Sequence, residues 1–129
     1  MKKTLRVFTL LVLCFSFVAV VSAASSVTLN NKYFESGKSY SGEATLGVDF
    51  TTSITVLEKS NNNPTINTRV QAKVLFIWNQ GANADIIIRS ANTTYFNYWV
   101  NKKTYDMKIT WKQTSDYADM TANLKAYNS

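Results

Sequence analysis

The sequence predicts an all-β chain folded as a small antiparallel β-sandwich, or a partly open barrel, of about seven strands. Three observations carry this. Apolar and polar residues alternate with a period of two through most of residues 25–129, the pattern of strands with one buried face. Turn-forming clusters interrupt that alternation at short intervals. The content of 46% hydrophobic and 13% aromatic residues is enough for a core, with Pro64 the single proline.

Residues 1–23 read as a secretory signal rather than as part of the domain. Lys2, Lys3 and Arg6 form a positive n-region, Val7 to Val21 is almost uninterruptedly apolar, and Val21-Ser22-Ala23 meets the small-residue cleavage rule. Cleavage is expected after Ala23 or Ala24. The apolar stretch is too short for a membrane-spanning helix, which needs about 20 residues. Cys14 lies within it, preceded by Leu13 rather than the small residue that lipidation requires. Removing 23 of the 129 residues leaves a 106-residue single domain, 24–129, without cysteine, and takes the net charge from +6 to +3. Disulfide-free export favours a bacterial source and an extracellular location.

Within the domain the elements follow in order. Val27, Leu29 and Tyr33 mark a weak first strand at a sheet edge. Tyr40, Ala44, Leu46, Val48, Phe50, Ile54 and Val56 then share one parity. A two-residue hairpin would reverse that phase. The segment is therefore one long strand bent near Gly47 and serving both sheets, or two strands joined without loss of parity. Ser60-Asn61-Asn62-Asn63-Pro64 is the strongest turn signal. The run from Ile66 to Trp78 becomes apolar on both faces at Leu75 and Ile77, as a central strand would. Asn79 to Asn83 is expected to turn the chain into the β-branched Ile86-Ile87-Ile88.

The C-terminal third is read as a hairpin. With Lys102-Lys103 as a two-residue turn, Val100 would face Tyr105, Tyr98 would face Met107 and Phe96 would face Ile109 on the core side. Trp99 and Tyr95 would then lie beside lysines on a solvated face. After a turn at Gln113 to Asp116, Ala118, Met120, Ala122, Leu124 and Ala126 alternate as a last strand. A helix with Tyr117, Met120, Leu124 and Tyr127 on one side is the alternative.

The chain contains no His, which removes Ser-His-Asp triads, Cys-His pairs and imidazole-ligated zinc. The carboxylates show no paired spacing of the glycosidase kind. Asp116, Asp119 and Asn123 lack the dense Asp/Asn-Gly loop of a calcium site, and the glycines are too scattered for a phosphate loop. No catalytic residue, metal or cofactor is therefore expected.

What remains is a basic and aromatic stretch. Tyr95, Trp99, Lys102, Lys103, Lys108 and Lys112 are the candidate binding residues, with rings as platforms and ammonium groups to attract an anionic polymer. The expected function is a secreted, non-enzymatic binding protein of the cell envelope or medium, engaging an anionic cell-surface polymer or a membrane surface. A bacteriocin-like or toxin-like membrane-active antagonist is one alternative. An inhibitor or surface-assembly subunit with a protein partner is another. A charge of +3 is too small for a nucleic-acid binder.

Overall fold

The computed structural model describes residues 24–129; the expected signal over 1–23, with Cys14 in it, lies outside the described residues. Among the described residues, period-two alternation produces strands and no helix. They are β1 (Ser26–Phe34), β2 (Ser39–Leu46), β3 (Asp49–Lys59), β4 (Thr65–Val74), β5 (Ile77–Trp78), β6 (Ala82–Ile87), β7 (Thr93–Val100), β8 (Tyr105–Gln113) and β9 (Met120–Asn128). All pairings are antiparallel. A first sheet has the order β1-β9-β3-β7; the second is β2-β8-β4, with β5 and β6 both paired to β4.

The two sheets form a sandwich, and their inner faces supply the core. From β3 come Phe50, Ile54 and Val56; from β8, Met107, Ile109 and Trp111; from β9, Met120, Ala122, Leu124 and Ala126. The segment 117–127, for which a helix was the alternative, is thus a strand from Met120, seated between β1 and β3. Alternation between core and solvent leaves no freedom of register where one face is buried, because a one-residue slip would expose every apolar side chain.

The phase-preserving run from Tyr40 is explained by a crossing. β2 belongs to the second sheet and β3 to the first, so the chain passes between layers at Gly47-Val48 instead of reversing within one. Gly47 N donates to Asn128 Oδ1 at 2.7 Å, and Asn101 Nδ2 donates to the Gly47 carbonyl at 3.0 Å. β1 is an edge strand as expected, but its pairing with β9 slips between Leu29 and Lys32. Asn31, at φ 54°, occupies this bulge, which turns Tyr33 outward and Phe34 into the core.

Two expectations are corrected. The central strand does not continue to Trp78. β4 ends at Val74, Leu75-Phe76 make a two-residue turn, and Ile77-Trp78 run back along Val74 and Lys73. Asn79 to Gly81 form a bulge in the returning strand rather than the turn itself, with Gly81 at φ 65°. The second correction concerns the C-terminal hairpin. β7 pairs with β3 and β8 pairs with β2 and β4, so Lys102-Lys103 lie in a crossing between sheets. No Val100–Tyr105 or Tyr98–Met107 pair forms.

Candidate functional site

Losing that hairpin reverses the faces of β7. Tyr95, Asn97 and Trp99 point to the sandwich interior, while Phe96, Tyr98 and Val100 face solvent. The physical reason is what each face can satisfy. Trp99 stacks on Phe50, with ring centroids 6.3 Å apart at 15°, and its Nε1 donates to Thr52 Oγ1 at 2.9 Å. The Tyr95 hydroxyl accepts from the backbone N–H groups of Arg89 and Ser90, both at 3.0 Å, and so pins the connection from β6. Both rings hold the fold together with a polar tip satisfied inside it.

The lysines do not gather around these rings. Lys102 and Lys103 are exposed in the crossing loop at one end of the sandwich. Lys108 and Lys112 are on the outer face of the second sheet, Lys108 between Glu43 and Gln71, and Lys112 between Ser39 and Asn67. The six candidates thus divide among the interior, one end and one outer face. They do not form a single site.

The face that does assemble one is the outer surface of the first sheet. Along β3, Thr51, Ser53 and Thr55 point outward. Register places Tyr98 and Tyr127 on either side of Thr51, and Phe96 and Lys125 on either side of Ser53. β7 and β9 are two strand spacings apart, about 10 Å, so small residues floor a trough between two taller walls. Although they face outward, Thr51 and Ser53 are only 3% and 4% exposed.

One wall is aromatic: the rings of Phe96 and Tyr98 stack at 6.5 Å and 12°. The other consists of Tyr127 and Lys125. The part of it between Phe96 and Thr94 on one side and Lys125 and Tyr127 on the other, over Ser53 and Thr55, has a volume of about 460 Å³ and extends over Ser26 and Thr28 of β1, with Tyr98 and Thr51 on the same face beside it. Its floor is hydroxylic, with Thr55 and Thr94 sharing a hydrogen bond at 3.0 Å, and beside it Thr51 and Ser129 share one at 2.7 Å. Lys125 is the one charged side chain among the residues lining it. Such a trough offers flat apolar surface, the hydroxyls of Thr55 and Thr94, and a single ammonium group.

Sequence reading missed Phe96 and Tyr98 because β7 carries aromatics on both faces. The signal that could have found the groove lies on its neighbours, in the Thr-Ser-Thr parity of β3 and the outward Lys125 and Tyr127 of β9.

The chain matches no family model, and no curated protein matches it. Among solved structures it is similar to a family two carbohydrate esterase from Cellvibrio japonicus, with 13% identity and a TM-score of 0.47. That likeness covers 81% of this chain and 32% of the esterase, so the chain spans about a third of that protein's length. A second similar structure, described as "CBM4 structure and function", is 14% identical with a TM-score of 0.38, over 78% of this chain and 72% of the other.

Proposed function

We propose that the protein is a non-catalytic module that binds an extended glycan along the outer face of its first sheet, and that it does so outside the cell, as the signal-like residues 1–23 would direct. The observation that supports this is the trough itself. The stacked faces of Phe96 and Tyr98 suit the C–H faces of sugar rings. The hydroxyls of Thr55 and Thr94 suit exchange of hydrogen bonds with sugar hydroxyls, directly or through water. Lys125 favours an anionic polymer over a neutral one of the same shape. No carboxylate lines the groove, so the pair of acids that glycoside hydrolysis uses is missing from it.

The test is titration calorimetry against soluble polysaccharides, neutral glucans and xylan beside anionic teichoic acid and polygalacturonate. Phe96→Ala and Tyr98→Ala are expected to weaken binding by about tenfold each, the scale of an aromatic contact at the centre of an interface. Lys125→Ala should weaken the anionic ligands selectively, and more at low salt. Absence of binding across both classes overturns the proposal. So does binding that survives Phe96→Ala plus Tyr98→Ala unchanged.

A further inference from the structure

The Leu75-Phe76 turn stands apart from the groove, at the end of the sandwich where Gly47-Val48 and Lys102-Lys103 also cross between sheets. Val74 and Ile77 are directly paired across it, which makes it a two-residue hairpin turn. Leu75 and Phe76 have φ of 50° and 67°. Positive φ at both central positions is the type I′ geometry, which strongly prefers Asn-Gly or Asp-Gly. Bulky side chains there cost backbone strain, and such strain concentrates where function requires a particular residue.

The side chains kept at that cost are not used by the fold. Leu75 is 85% exposed, Phe76 92% and Ile77 69%. The tip is therefore a convex apolar wedge, whereas a hairpin stabilising only itself would carry polar turn residues. Its base is cationic and aromatic. Lys73 Nζ lies 5.7 Å from the centroid of the Trp78 ring, and Lys103 Nζ lies 5.4 Å from that of Tyr105. A hollow beside the tip joins Lys73, Val74 and Leu75 to Lys103 and Tyr105. Asp106, which shares this hollow, accepts a hydrogen bond from Thr45 Oγ1 at 2.7 Å. Lys102 adds a third ammonium in the same loop as Lys103.

We infer that this end of the sandwich docks on an anionic lipid bilayer, with Leu75 and Phe76 entering the acyl boundary and Lys73, Lys102 and Lys103 meeting the headgroups. Apolar side chains at the point of a convex loop can be covered only by a soft or concave partner. The lysine collar is complementary to an anionic surface, and aromatic rings at its base sit at the depth where amphipathic side chains are favoured at membrane interfaces. Contact is peripheral and reversible, because the inserted area is small.

The test is co-sedimentation of residues 24–129 with phosphatidylcholine vesicles and with mixed phosphatidylcholine–phosphatidylglycerol vesicles. The wild-type protein is expected to bind the mixed vesicles and to be released by high salt. The double substitution Leu75→Asn plus Phe76→Gly supplies the residues this turn prefers, so the fold is kept or stabilised. Its partition onto mixed vesicles should fall by about tenfold or more. Failure of the wild-type protein to bind overturns the inference, as does equal binding by the substituted protein. Self-association of the wild-type protein that the substitution abolishes, without vesicle binding, would assign the tip to a second copy instead.

Discussion

Adjacent residues Tyr98 and Trp99 offer the sharpest test of the register, because they are aromatic neighbours on opposite faces of one strand. Replacing Trp99 by alanine removes a ring that stacks on Phe50 and hydrogen-bonds to Thr52. Losing about 150 Å² of buried surface costs about 4 kcal/mol at ~25 cal/mol per Å². Partial exposure of the ring reduces that figure. The Thr52 hydroxyl, in a side chain only 2% exposed, loses its donor and adds about 1 kcal/mol.

A loss of about 3–4 kcal/mol is therefore expected, within the range of large-to-small core substitutions. Tyr98 is 78% exposed, and Tyr98→Ala should change stability by no more than about 0.5 kcal/mol. Urea unfolding followed by far-UV circular dichroism measures both without relying on tryptophan emission. Equal slopes for the three proteins would show that midpoints report stability alone. If Tyr98→Ala proved the more damaging substitution, β7 would be displaced by one residue, and both the core and the groove described above would be wrong.

Further outcomes are expected elsewhere. Gly81→Ala places a Cβ 1.7 Å from the Val70 carbonyl oxygen at φ 65° and should cost about 2 kcal/mol or more, by the same unfolding assay. Gly37→Ala, at φ 79° with nothing within 4 Å, should cost about 1 kcal/mol. Thr68→Val removes a fully buried hydroxyl without a hydrogen-bond partner and should raise stability by about 1 kcal/mol. Tyr33 ionises above its ordinary value, first because the neighbouring Asp119 carboxylate favours the protonated hydroxyl as a hydrogen-bond donor. That interaction stabilises the fold below the unfolded tyrosine's pKa and is lost as pH rises through the raised one. Phenolate absorbance should show the Tyr33 transition moving down in Asp119→Asn.

Where one face of a strand is apolar and the other polar, the pattern was readable. Met120, Ala122, Leu124 and Ala126 are buried as their alternation requires. Of the two readings of the unbroken phase across Gly47, one bent strand or two joined without loss of parity, the structure has two strands, one in each sheet. β7 was not readable in this way. Tyr95, Phe96, Tyr98 and Trp99 give both faces similar hydrophobicity, so only an assumed turn could set the phase. The residues suggest that turn at Lys102-Lys103, where the chain in fact leaves one layer for the other. Leu75-Phe76 is illegible for the opposite reason. Its residues contradict the chemistry of the turn they make, so the stronger local signal at Asn79 to Asn83 stood in its place. The groove depends on side chains from β3, β7 and β9, which are distant in sequence, and local patterning carries no information about which strands become neighbours.

The placement of β9 between β1 and β3 has a kinetic consequence. Ser26 pairs with Tyr127, and Phe50 pairs with Asn128. The first and third strands of the chain therefore have no partner between them until residues 120–128 have left the ribosome. This sheet cannot close before β9 has been made, and folding must bring distant segments together at once, which is the slow regime of high contact order. Until β9 takes its place, β1 has no strand to pair with and the inner face of the first sheet stays incomplete.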